Sequence, residues 1–116
     1  MNRNFRLTNS ADFKRVRRSG KSYAHPLVVL VVLPVPDDHT QIGIVAGRSV
    51  GNAVQRNHAK RMLREALRSL LPQVKTGLKI ILIARSPILK AELPEIQETM
   101  NQLFKKANLF NTNAVN

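Results

Sequence analysis

The sequence predicts a single α/β domain, and three observations carry that expectation. Leu27–Leu33 and Leu78–Ala84 are aliphatic runs of strand length, and the first has none of the polar alternation of a half-exposed strand. Stretches 8–19, 52–71 and 94–107 space apolar side chains three and four residues apart, as helices do when one side is buried. The chain has 116 residues, 43% of them hydrophobic, which suits one modest core. No repeat, low-complexity tract or linker divides it, so residues 1–116 are expected to form one domain, with 1–7 and 111–116 flexible.

Taken in order, residues 8–19 read as a first helix that Thr8 or Ser10 can cap, with Phe13 and Val16 as its apolar stripe. Lys14, Arg15, Arg17, Arg18 and Lys21 surround that stripe, and Gly20 marks the stop. Leu27–Leu33 suits a strand covered on both faces, ended by a turn at Pro34, Pro36 and Asp37-Asp38. Gln41–Ala46 is a second short strand, and Gly47 begins the next turn. After Gly77, Leu78–Ala84 is a further strand. Residues 94–107 form the last helix: Pro94 suits its first turn, Glu95 and Glu98 its positive end, and Lys105 and Lys106 its negative end. Ile96, Met100, Leu103 and Ala107 share one side of it and are expected in the core.

The middle helix is the informative one. Asn52 followed by Gln55 has the form of an N-cap with its partner three residues on, and Pro72 is the expected stop. Advancing about 100° per residue from Val54, Ala59, Met62, Leu63, Ala66, Leu67 and Leu70 fall between roughly 80° and 220°. Arg56, Lys60, Arg61, Arg64 and Arg68 fall between roughly 200° and 340°, and Glu65 lies past the far edge of that row. A solvated helix face normally mixes signs, because like charges four residues apart destabilise it. Arg56–Lys60, Lys60–Arg64 and Arg64–Arg68 are all repulsive at that spacing. Such a row makes sense as a surface for phosphate, and arginine can also stack on an unpaired base.

Composition agrees. The chain carries 19 Lys and Arg against 7 Asp and Glu, a net charge of +12, which points to a polyanion as partner. The absence of cysteine excludes disulfides, a thiolate zinc site and a cysteine nucleophile. Residues 1–20 have no apolar segment of the secretory type, and the longest apolar run, 27–36, is too short for a transmembrane helix. A cytoplasmic protein with no membrane partner and no obligate protein partner is expected. RNA is favoured over DNA because the basic helix lies between strands, unlike a helix-turn-helix or basic zipper, and a broad basic surface suits folded RNA. A membrane-surface role is disfavoured, since the apolar arc lacks aromatic anchors and is needed for the core.

Hydrolysis of RNA by protein groups needs clustered carboxylates holding metals, or an acid–base pair. Asp37-Asp38 fall in a turn, Glu92, Glu95 and Glu98 on or just before the last helix, and His25, His39 and His58 share no spacing. The residues therefore suggest a protein that positions RNA. A ribosomal or other structural RNA-binding protein and a protein-only nuclease stay open on this reading alone.

The order Asn52-Ala53-Val54-x-Arg56-Asn57-x-x-Lys60-Arg61-x-x-Arg64 resembles the signature of the bacterial ribonuclease P protein subunit. Asp12-Phe13 with Val16 and Gly20 resembles that family's first helix, and Ile83-Ala84-Arg85 the end of its last strand, so the likeness spans essentially the whole chain. It implies an α+β sandwich similar to the second domain of ribosomal protein S5, in the order α-β-β-β-α-β-α, with a left-handed crossover into the basic helix. It implies partnership with a catalytic RNA and with precursor tRNA, whose 5′ leader is removed by endonucleolytic cleavage. Catalysis is then expected in the RNA, with Mg2+ bound mainly by RNA and no catalytic or metal-ligating residue in the protein. By the same resemblance Arg48, Arg56, Asn57, Lys60, Arg61, Arg64 and Arg68 are expected to contact RNA, and Phe13, Arg17 and Val31 to line a leader cleft between the first helix and the sheet. Phe13 is the position whose ring can stack on an unpaired base.

Three departures from the family pattern matter. His58 stands where arginine is usual, and an imidazole is not permanently charged as a guanidinium is. Ser49 stands where a second lysine is common, and Arg17 and Val31 replace frequent aromatics of the cleft. Leader contacts are accordingly expected to rest less on stacking and more on phosphate.

Overall fold

A strand with apolar side chains on both sides needs cover on both sides, and the two long aliphatic runs obtain it at the centre of one sheet. The computed structural model describes residues 5–36 and 39–111. Its elements in chain order are α1 (Ser10–Ser19), β1 (Lys21–Ala24), β2 (Val28–Pro34), β3 (Gln41–Val45), α2 (Ala53–Arg68), β4 (Leu78–Ala84) and α3 (Leu93–Lys106). This is the order α-β-β-β-α-β-α that the resemblance implies. The sheet runs β1-β2-β4-β3, with β1–β2 and β2–β4 antiparallel and β3–β4 parallel.

Register assigns the two faces. Val28, Leu30, Val32, Ile42, Ile80, Leu82 and Ala84 belong to the main core, which also takes Ala59, Leu63, Ala66 and Leu67 of α2 and Ile96, Met100 and Phe104 of α3. Val31 and Ile81, one residue out of phase, lie on the other face with Val16 of α1 and Leu7. Half-buried Val29, Leu33, Val45, Ile83 and Phe13 border that smaller cluster. α1 alone covers a face that two helices cover on the opposite side.

Several boundaries differ from expectation, each for a local reason. Asn9, and neither Thr8 nor Ser10, caps α1, its side-chain oxygen accepting from the Ala11 and Asp12 N–H groups at 2.9 and 3.2 Å. β1 went unlocated in the sequence pattern because Lys-Ser-Tyr-Ala offers no apolar run; it forms because β2 supplies its hydrogen bonds. Lys21 therefore sits on an edge strand and is no part of the first helix. α2 ends at Arg68, four residues before Pro72, through a tight Leu70 N–H to Leu67 C=O bond, and Pro72 instead joins a one-turn 3-10 helix at Leu71–Gln73. Thr99 and Phe104 of α3 are buried beside the expected Ile96, Met100 and Leu103, while Ala107 is half-buried.

The ends are tied further out than the sequence suggests. Leu7 is buried and donates to Ile42 C=O at 3.1 Å, and Arg6 bridges to Ile42 along the free side of β3. Phe110 packs on Phe104 with ring centres 5.8 Å apart, and Asn111 donates to Gln73 C=O at 2.8 Å. Residues 6–7 and 111 are held by these contacts, while 1–4, 112–116 and Asp37-Asp38, where a turn was expected, lie outside the described residues.

Candidate nucleic-acid interface

The basic helix begins where the sequence says, by a complete capping box. Gln55 N–H donates to Asn52 Oδ1 at 2.9 Å, and Asn52 N–H donates to Gln55 Oε1 at 2.8 Å. Gly51 precedes it at φ +144°, and a Cβ there would collide with the Gln55 side chain that closes the box. Ala59, Leu63, Ala66 and Leu67 are fully buried, so the apolar arc fixes which side faces out. Arg61, Arg64, Arg68 and Asn57 are exposed, as is Arg48 in the turn just ahead of the helix, where Gly51 N–H returns to Arg48 C=O.

The cations are not one uniform row. Arg56 and Lys60 are half-buried, and the Arg56 Nε is shielded from solvent with no hydrogen-bond partner among the described residues. The wheel explains this, since Arg56 falls at about 200°, between Leu63 and Leu67. The Arg56 side chain therefore lies at the edge of the core, with its Nε enclosed. At the other end Arg68 differs again: Glu65 lies 3.0 Å away and neutralises it in part. The sequence placed Glu65 past the row, yet a three-residue step brings it onto Arg68. Arg68 is thus the cation of this row that has a carboxylate partner among the described residues.

A groove of about 220 Å³ opens at the free side of β3, lined by Arg6, Thr8, Phe13, Gly43, Ile44 and Arg64 among others. Phe13 comes from α1 and Arg64 from α2, so the groove joins helices that lie on opposite faces of the sheet. Its floor depends on Gly43, where a Cβ would strike the Phe13 ring. The half-buried ring rests on bare backbone and keeps one side toward the groove. Arg17 is exposed in the last turn of α1. Val31, expected as a cleft residue, is 4% exposed beneath α1 with Val16 and Ile81.

Sequence reading missed three contributors. Arg6 and Thr8 reach the groove because 6–7 run alongside β3. Lys79 is 8% exposed in the central strand, and its ammonium is 2.6 Å from Gln41 Oε1 and 3.7 Å from Asp12 Oδ2. A buried ammonium needs such partners. It thereby fixes α1 to the sheet one residue before Phe13. A lone lysine inside an aliphatic strand was the available signal. His25 is a turn residue, its Nδ1 accepting from the Leu27 N–H at 3.0 Å, and His58 is exposed on α2. Among the described residues no three His, Asp or Glu side chains gather as metal ligands, and no helix is long and apolar enough to cross a membrane.

Comparison with known proteins bears on this geometry. Residues 1–108 match the family model described as Ribonuclease P. The ribonuclease P protein component of Herpetosiphon aurantiacus is 39% identical over 110 residues, 95% of this chain and 89% of that one. Among solved structures, the RNase P protein of Staphylococcus aureus superposes with a TM-score of 0.81 at 32% identity, covering 92% of this chain and 98% of that one. The RNase P protein of Thermotoga maritima does so with a TM-score of 0.75 at 28% identity, covering 86% and 96%.

Proposed function

The chain belongs to the ribonuclease P protein family, and from that premise we propose that α2 docks a catalytic RNA while the groove at β3 receives the 5′ leader of precursor tRNA. It is a protein subunit of ribonuclease P and acts in tRNA 5′-end processing. Family membership displaces the alternative of a ribosomal protein. One observation carries the division of labour: the basic helix and the Phe13 groove meet at Arg64, so a strand in the groove lies beside RNA held on the helix.

In this reading the half-buried Arg56 meets a phosphate oxygen through the outer part of its guanidinium, at the edge of the core. Lys60, Arg61 and Arg64 add charge along the same helix, and Arg48 extends it by one turn. Phe13 presents a ring to an unpaired leader base, with Arg6 and Arg64 beside it for the flanking phosphates. The chemistry belongs to the RNA, where bound magnesium ions supply Lewis acidity for phosphodiester hydrolysis. The protein offsets phosphate repulsion, so less free magnesium is required. The complex works in the cytoplasm, where precursor tRNA is made.

Reconstitution tests this directly. Precursor tRNA is incubated with protein alone, with a ribonuclease P RNA alone, and with both, across a magnesium series. No cleavage by protein alone and cleavage at lower magnesium with both are expected. Strong cleavage without RNA would overturn the reading. For the helix, about five phosphate contacts give a slope of log affinity against log salt of roughly −3 to −5. A slope near zero would remove α2 from the phosphates.

A further inference from the structure

The cations of α1 are not used by the site just described, apart from Arg17. Lys14, Arg15, Arg17 and Arg18 are all exposed on this ten-residue helix. Among the described residues none of them forms an ion pair, and the helix's one carboxylate, Asp12, is turned inward to Lys79. Arg17 and Arg18 suit the negative end of the helix, but Lys14 and Arg15 lie further in. Lys14–Arg18 at four residues, and Lys14–Arg17 and Arg15–Arg18 at three, are repulsive pairs. Lys14 and Arg15 gain nothing from the helix dipole and add only repulsion in the free protein, so the arrangement points to an anion that covers it.

Placement says which anion. Taking Phe13 as zero, Arg17 lies about 40° round the helix, Lys14 about 100°, Arg18 about 140° and Arg15 about 200°. Val16 and Asp12, at about 300° and 260°, point to the sheet. Moving from the groove aromatic over the outside of α1, each step meets a cation and none meets an acid. A strand leaving the groove past Phe13 therefore has a ready path across this face.

We propose that the outer face of α1, centred on Lys14, Arg15 and Arg18, binds the upstream part of the single-stranded 5′ leader, beyond the nucleotides held in the groove. The inference rests on the leader reading above and extends it. The protein then holds its substrate along a bent path, from Arg64 through the β3 groove to the far face of the sheet. Leader length becomes a determinant of affinity through residues that touch neither the cleavage site nor the catalytic RNA.

The test uses the holoenzyme reconstituted with a ribonuclease P RNA and precursor tRNAs with leaders of graded length. The variant Lys14→Gln/Arg15→Gln/Arg18→Gln changes exposed positions to a helix-compatible residue. Relief of the like-charge pairs leaves its melting temperature equal or higher. With long leaders, substrate affinity is expected to fall about tenfold and the salt slope to shrink by about 2, as for three lost single-strand phosphate contacts. With a leader short enough to end in the groove, affinity stays as in the parent. Equal loss at both lengths would overturn the proposal, because the face would then serve the catalytic RNA or the tRNA body. No loss at either length would overturn it as well. Failure of the parent holoenzyme to favour any leader-bearing substrate would sink the underlying leader reading, a result that needs no variant to detect.

Discussion

α1 and α2 are both arginine-rich helices laid on one sheet, but they are anchored very differently. α2 buries Ala59, Leu63, Ala66 and Leu67 completely and shares its core with α3 and the whole even face of the sheet. α1 buries only Val16, over a cluster of Leu7, Val31 and Ile81, and adds one polar tie from Asp12 to Lys79. The face that is most fully covered carries the rigid cation row. The face that is thinly covered leaves Phe13, Val29, Val45 and Ile83 half-buried, and Phe13 lines the groove. A docking surface for a large structured RNA benefits from fixed geometry, whereas a cleft for a single strand needs apolar surface left open. On the proposed function the sheet would serve both needs because its two faces are covered unequally.

The largest expected effect breaks the comparison at its stronger side. Leu63→Ala, at a fully buried site, is expected to cost about 2–5 kcal/mol in urea unfolding, whereas Val16→Ala under α1 costs about 1–3 kcal/mol. A cost for Val16→Ala as large as that for Leu63→Ala, despite one fewer carbon removed, would show the α1 face to be the more tightly packed. Next, Gly43→Ala forces the Phe13 ring off the strand, at about 1–3 kcal/mol of stability. It should weaken leader-bearing substrate more than a leaderless one; equal weakening would separate Phe13 from the leader. Asn52→Ala removes half the capping box and is expected to cost about 1 kcal/mol by the same unfolding assay. The smallest effect sharpens the view of α2. Glu65→Gln frees Arg68, changing stability by less than about 0.5 kcal/mol while slightly steepening the salt dependence of RNA binding. An unchanged slope would leave Arg68 outside the interface.

Helical spacing made α2 and α3 legible, and Asn52 with Gln55 announced a start that the capping box confirms to the residue. The motif from Asn52 to Arg64 named the family, which the comparisons show. The end of α2 was less legible. Proline forbids continuation but does not require that a helix reach it, and the turn at Leu70 closes first. β1 was invisible as a pattern because an edge strand with one bonded neighbour needs little apolar content. The burial of Val31 was not legible, for a related reason. The resemblance gave its strand and face, but only the position of α1 above it decides whether that face is open or covered.

What the sequence determined by itself was local and periodic. It fixed which residues share a helix face, where the capping box sits, and that the cations of α2 outnumber any acid able to answer them. Tertiary structure decided which of those charges are equivalent. Packing set Arg56 into the edge of the core with an unpaired Nε, gave Arg68 a carboxylate partner, and brought Arg64 to the same groove as Phe13 from fifty-one residues away. Periodicity reports angle around one axis, whereas burial and pairing depend on what other segments bring to that angle. For this protein the second kind of information turns a basic helix into a site with a groove, an end and a direction.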